Sequence, residues 1–320
     1  MGFPTPILFC IYNRPDLTAQ VFEVIRRIRP QHLLVLADGP KQDPRDRERV
    51  NQTRQIIQKI DWDCRLITHF ADKNLGCAVR MASGISWAFE QFEELIILED
   101  DCLPDLTFFP YCQHLLERYR NNSQVMMISG DNFQPKPVSS DSYYFSKWPH
   151  IWGWASWRRA WKHFDLEISD WPNWKNRSDL SELCCGHNEL KHWEQVFDQT
   201  HRGEIDTWDF SWTYSCWRNQ GATILPQRNL VRNIGFGADA THTVDSESQL
   251  ASLKTFPMGK LVHPQTIEIH KKADYYTWES VFANNHNSHS PDVKQNWWTR
   301  LTTKASRSIT KRFLRRGAVA

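Results

Sequence analysis

ELIILEDDCLP, residues 94–104, decides the reading of this 320-residue chain: an apolar run of strand length ends abruptly in three consecutive acids, Glu99, Asp100 and Asp101. A short apolar run with no polar alternation reads as a strand buried on both faces, the kind found in parallel sheets. Working outward, the same unit recurs. PILFCIY (6–12) reads as a strand, and a helix over 15–29 follows with Leu17, Val21, Val24, Ile25 and Ile28 on one face. A strand at 32–36 leads to a helix at 45–60, a strand at 65–70 to a helix at 77–91, and the 94–98 strand to a helix at 106–119 and a fifth strand, VMMIS, at 125–129. Strands alternating with amphipathic helices predict an α/β fold, a doubly wound and mostly parallel sheet.

In such sheets ligands bind beyond the carboxyl ends of the strands. Those places hold Asn13-Arg14, Asp38-Gly39-Pro40, Asn74-Leu75-Gly76, Glu99-Asp100-Asp101 and Gly130-Asp131-Asn132, so five strand ends deliver polar groups to one rim. No G-x-G-x-x-G follows the first strand and no G-x-x-x-x-G-K-[ST] occurs, which argues against a dinucleotide cofactor and a P-loop NTPase. Adjacent carboxylates at a buried strand end repel one another, and a hard divalent cation, Mg²⁺ or Mn²⁺, relieves that repulsion while keeping substrate phosphate oxygens among its ligands. An acidic turn capping the next helix is the plain alternative for a bare E-D-D string. Its position on a rim with Asp38 and Arg14 favours the cation.

Composition narrows the classes further. With 39 basic and 37 acidic residues the net charge is +2, too small a field to argue for nucleic acid. The longest apolar runs are far shorter than the roughly 20 residues of a spanning helix. The N-terminus shows no basic n-region or small-residue cleavage site, so the expected location is cytoplasmic. Eight cysteines without a C-x-x-C pair read as reduced core thiols. Tryptophan is the outlier at sixteen residues, most of them from Trp148 onward, where the strand–helix alternation fades. Beyond residue 133, helices are expected at 189–200 and 211–217, a strand at 222–225 and an irregular loop at 229–243.

Eight strings taken in order, PILFCIYNRP, LLVLADGP, NLGCAVRMASGISWAF, ELIILEDDCLPDLTFFPYC, VMMISGDN, WPHIWGWASW, TWDFSW and NIGFGADATHT, are spread over residues 4–243. In that order the chain resembles the GT-A glycosyltransferases of the N-acetylglucosaminyltransferase I type and their bacterial family 2-like relatives. The resemblance implies a Rossmann-like GT-A catalytic domain over 4–270, with a nucleotide-sugar-binding half at 4–132, an aromatic-rich acceptor half at 133–270 and a basic tail at 271–320. It implies inverting, metal-dependent transfer of a sugar, hexosyl or N-acetylhexosaminyl, from a nucleotide-diphosphate donor, a UDP-sugar, to a hydroxyl of a glycan or lipid-linked acceptor, as in polysaccharide biosynthesis.

By the same resemblance Asp38 would accept from the nucleotide base, Arg14 would lie beside base or phosphates and Arg80 would reach the diphosphate. Asp101 would ligate Mn²⁺ or Mg²⁺, with Glu99 and Asp100 positioning the sugar or water shell, and His242 would close over the diphosphate. Asp209, in TWDFSW, matches the family's base segment. The family carries two consecutive acids after the Trp where this chain has Phe210, so Asp209, Asp206 and Asp131 all stand as candidates for the base. Most of the indoles are expected in the core, with Trp152 and Trp154 touching sugar.

Two other readings remain. A sugar-1-phosphate nucleotidyltransferase uses a similar sheet and metal, but normally carries a Gly-rich loop and a Lys after strand one, which Asn13-Arg14-Pro15 does not supply. A carbohydrate-binding protein would account for the Trp count but not for five polar strand ends. Residues 294–316 hold eight basic residues and no acid, interleaved with Trp297, Trp298, Leu301, Ile309, Phe313 and Leu314. Such a segment would hold the protein loosely on the inner face of an anionic membrane, or be a solvated tail.

Overall fold

Five buried residues in a row, Ile7–Ile11, form β1, and Pro15 at the first helical position of α1 (Pro15–Ile28) starts the crossover, since its missing N–H has no intrahelical partner there. The computed structural model describes residues 2–236 and 249–283. Next come β2 (His32–Ala37), α2 (Pro44–Gln55), β3 (Arg65–Phe70), α3 (Cys77–Gln91), β4 (Glu94–Glu99), β5 (Cys102–Pro104), α4 (Phe108–Tyr119) and β6 (Val125–Ser129). The second half holds β7 (Tyr143–Ser146), β8 (Trp154–Trp157), α5 (Arg158–Trp161), α6 (Trp171–Trp174), α7 (Asp179–Leu183), α8 (His187–His201), α9 (Asp209–Arg218), β9 (Ala222–Pro226), β10 (Val231–Asn233) and α10 (Lys271–Thr277).

The sheet order is β3-β2-β1-β4-β8-β6-β9-β7. Strands β1, β2, β3, β4, β6 and β9 run one way and β7 and β8 the other, which makes this an α/β fold with a mostly parallel sheet. Alternate strand residues face two separate cores. Ile7, Phe9 and Ile11 pack with Val21, Phe22, Phe108 and Leu115 of α1 and α4; Leu8 and Cys10 face Met81, Ile85, Trp193 and Trp212 of α3, α8 and α9. Most of the tryptophans fill this second core.

Besides adding β5, β7 and the short helices α5–α7, the structure departs from the sequence expectation at several points. β8, which lies in the Trp-rich stretch left without an assigned element, inserts antiparallel between β4 and β6, so the fifth expected strand end stands one strand further from the acidic triplet. The predicted helix at 45–60 stops at Gln55 and tightens into a 3₁₀ turn, Ile56–Lys59. The loop expected from residue 229 begins instead with β10, which pairs antiparallel with β5. Residues 271–282, assigned from sequence to the basic tail, pack on the second half: Ala273, Asp274, Trp278, Val281 and Phe282 are buried. Among the described residues no helix is long and apolar enough to cross a membrane. His242 and the basic segment 294–316 lie outside the described residues.

A buried ionic cluster ties that C-terminal helix to the sheet. Lys147 Nζ donates to Glu189 Oε1 at 2.5 Å and to the Leu183 carbonyl at 2.7 Å, and sits 4.7 Å from the Trp148 ring. Asp274 accepts from Ser146 Oγ and from the Lys147 backbone N–H. Glu189 is fully buried, so removing its lysine strands a charge. Lys147→Met is therefore expected to destabilise by about 3–5 kcal/mol, read as a lowered urea midpoint. Adding Glu189→Gln should recover part of the loss; no recovery would mean that packing, not the stranded charge, sets the cost.

Candidate active site

A cleft of about 240 Å³ opens at the carboxyl ends of β1, β2 and β4, and residues from the second half form its far wall. The first half contributes Tyr12, Arg14, Asp38, Lys41, Asn74, Gly76, Arg80, Glu99, Asp100 and Asp101, and the second half Ile151, Trp152, Asp206, Thr207, Trp208, Asp209 and Asn233. The structure thus brings together most of the residues singled out from sequence and adds Tyr12, Lys41 and Asn233. Tyr12 and Lys41 stand one and four residues beyond the ends of β1 and β2, close enough for the strand-end rule to reach both. Asn233 lay in the segment read as a loop.

At the end of β4 the chain turns sharply into β5, which presents all three acids in a row. Asp100 points inward and accepts from the Tyr12 backbone N–H at 3.3 Å and from Arg14. Asp101 Oδ2 accepts from Arg14 Nη1 at 2.9 Å. Its carbonyl accepts from Ile234 N at 2.8 Å, which draws the strand after Asn229 against the acids. Gly235 lies against this carboxylate, and any side chain there would collide with Asp101 Oδ2. Burial, then the charges of Asp101 and Asp100, push the Glu99 carboxyl well above the usual carboxylate range. Burial opposes the charge on Arg14, but Asp101 and Asp100 more than restore it.

Asp38 is committed elsewhere. Its oxygens accept from Gly39 N, Asn74 Nδ2, Leu75 N and Gly76 N at 2.8–3.2 Å, so its carboxylate acts as the clasp of the 74–76 loop. Gly76 takes a positive φ of 83° with Asp206 against its Cα, and Asp206 Oδ1 accepts from Ala78 N at 3.1 Å. A carboxylate from the second half therefore caps α3 of the first. Arg80, one turn further on, donates to the His69 carbonyl and lies 3.1 Å from His69 Nδ1, which holds its guanidinium toward β3 on the cleft floor.

Asp209 stands at the first position of α9. One of its oxygens, Oδ1, accepts from Thr207 Oγ1 at 2.5 Å and from Phe210 N at 3.0 Å. Behind it a smaller cavity of about 40 Å³ shares Ile151, Trp152 and Asp209 with the cleft and holds Asp131 and His150 on its wall. Asp131 therefore lies behind the Trp152 wall instead of facing the cleft. Burial pushes its carboxyl up to about 8 and the His150 imidazole down to about 3, so both are neutral at pH 7.

The two tryptophans expected from sequence to touch sugar part company. Trp152 lines the cleft and meets Phe133 and Phe236 edge-on. Gly153, with φ 68°, turns the chain, and Trp154 enters the second core with no exposed surface, stacked on Trp208 at 5.6 Å. It contacts no cleft space and backs Trp208, which does; the sugar contact expected of Trp154 is corrected accordingly. The cleft thiols Cys10 and Cys77 are raised well above their usual range by burial, so thiolate chemistry is disfavoured there.

No family model matches the chain, and no curated protein does either. Solved structures with a similar arrangement include the mannosyltransferase PcManGT from Pyrobaculum calidifontis in complex with GDP-Man and Mn²⁺, at 14% identity over 48% of this chain and 44% of that one, TM-score 0.34. A cytidylyltransferase from Leptospira borgpetersenii matches at 10% identity over 63% and 74% of the two chains, TM-score 0.31. Mouse xyloside xylosyltransferase 1, in its apo form, matches at 8% identity over 66% and 80%, TM-score 0.33. The chain spans less than half of the length of the mannosyltransferase.

Proposed function

We propose that the protein is an inverting glycosyltransferase that takes a sugar from a nucleotide diphosphate, a UDP-sugar, to a hydroxyl of a glycan or lipid-linked acceptor. The observation that carries the reading is the cleft's charge. Five aspartates (Asp38, Asp100, Asp101, Asp206, Asp209) and Glu99, whose own carboxyl is pushed up, line it against three cations, Arg14, Lys41 and Arg80. An anionic diphosphate meets net repulsion there unless a divalent cation accompanies it. The acids fit such a cation: all donors are hard oxygens, and the trio outnumbers the single guanidinium bound to it.

Among the described residues no three His, Cys, Asp or Glu side chains are grouped to hold a metal by themselves. Asp101, with Asp100 beside it, would hold Mn²⁺ or Mg²⁺, whose chemistry is to neutralise charge on the leaving diphosphate. Asp38 acts on the nucleotide through the 74–76 loop that it clasps, and Arg80 and Lys41 offer cationic character to the phosphates.

Asp209 is the proposed general base, since Asp206 is spent capping α3 and Asp131 sits behind Trp152. The acceptor oxygen bonds to the anomeric carbon on the face opposite the diphosphate, its proton passes to Asp209, and the broken C–O pair leaves with the diphosphate. Trp152 offers an indole face to a pyranose. A nucleotidyltransferase fits less well, because the β1–α1 connection is Tyr12-Asn13-Arg14, with no glycine and no lysine.

Two measurements test this reading. Asp101→Asn should lose Mn²⁺-dependent binding of UDP by calorimetry with an unchanged circular dichroism spectrum; wild-type affinity in the variant would refute the metal assignment. Asp209→Asn should keep donor binding and lose about 10²–10⁴-fold in transfer rate. Full activity in that variant would move the base to Asp206 or Asp131.

A further inference from the structure

We propose that Arg14 is a resident counter-ion that a divalent cation and a nucleotide diphosphate displace together, so that one side chain couples the binding of the two. This rests on the metal-dependent reading of the cleft. Arg14 bridges Asp100 and Asp101, with only 16% of its side chain exposed. A metal on Asp101 takes a carboxylate whose Oδ2 already accepts from Arg14 Nη1 at 2.9 Å. Guanidinium and metal therefore compete for the same group.

A metal arriving alone leaves a largely enclosed Arg14 without half of its partners, which is unfavourable for a desolvated charge. A diphosphate arriving alone meets the acid trio while the Arg14 guanidinium bound there is already engaged. Arriving together, each removes the other's obstacle: the metal takes Asp101, and the released Nη1 donates to a phosphate oxygen, a pairing guanidinium makes well. The position of Arg14 suits the exchange. It immediately precedes Pro15 of α1 and lines the cleft, so its guanidinium can turn toward the ligand while its backbone stays anchored through Thr18 N, which donates to the Arg14 carbonyl at 2.9 Å. Coupling of this kind is reciprocal: the factor by which diphosphate tightens metal binding equals the factor by which metal tightens diphosphate binding.

The test is a Mn²⁺ titration of the full chain followed by electron paramagnetic resonance, without and with UDP and, separately, GDP, on wild type, Arg14→Gln and Arg14→Lys. Wild type should bind Mn²⁺ weakly alone and about 10-fold or more tighter with the matching nucleotide, within the 5–150-fold usual for coupled sites. Arg14→Gln should bind Mn²⁺ alone about 10-fold tighter than wild type and gain little from nucleotide. Arg14→Lys, which keeps the charge without the fork, should fall between them, and it carries the test if the glutamine variant does not fold. Equal Mn²⁺ affinity in wild type and variants, with the same nucleotide gain, overturns the proposal and leaves the metal reading standing. No Mn²⁺ binding in any of them overturns both.

Discussion

One short strand joins the two halves into a single sheet. β8 pairs antiparallel with β4 on one side and β6 on the other, so β1 to β4 and the β6–β9–β7 block share one hydrogen-bonded surface. Its four residues are all buried, with Trp157 entering one core and Trp154 the other. An indole on each face of a four-residue strand fixes its register, because a slip by one residue would exchange the two faces. The cleft depends on that register. Trp152 reaches it only because Gly153 turns the chain just before the strand begins, and Trp208 is held at its edge by Trp154 behind it.

The electrostatics of the cleft follow from the same arrangement. Strand ends from the first half supply Glu99, Asp100 and Asp101, while the loop before α9 and that helix's first turn supply Asp206 and Asp209 from the second. Acids from two directions converge on a space holding three cations, and two of these are compromised: Arg14 by the acid pair, Arg80 by His69 and burial. A negatively charged substrate has no ready welcome there, and a cation supplied with it changes the sign of the balance.

Much of this was legible in the sequence, for a physical reason. Strands buried on both faces need unbroken apolar runs, so PILFCIY, HLLVL, ELIIL and VMMIS stand out, and Pro15 and Pro44 mark helix starts by the N–H they lack. β8 was not legible, because WASW has the composition of an aromatic loop and its strand character comes from partners on both sides. Asp38 and Asp206 are instructive in the same way. Sequence places an acid at a strand end or before a helix, but only the fold shows that one clasps the 74–76 loop and the other reaches 128 residues back to cap α3. Trp152 and Trp154 differ only by Gly153 between them, and the pattern carries no sign of which one faces the cleft.

The cap that Asp206 places on α3 has a consequence for modularity. A helix whose first turn is completed by a carboxylate from the opposite half, in a sheet whose β4 edge is covered by a strand from that half, is not a self-sufficient unit. Cut after Asn132, the first half would present an uncapped α3 and an open, apolar β4 edge, the condition under which sheets pair with neighbouring chains. The rim of the first half is therefore not portable on its own: exchanging it between scaffolds requires carrying β8 and the segment around Asp206 with it.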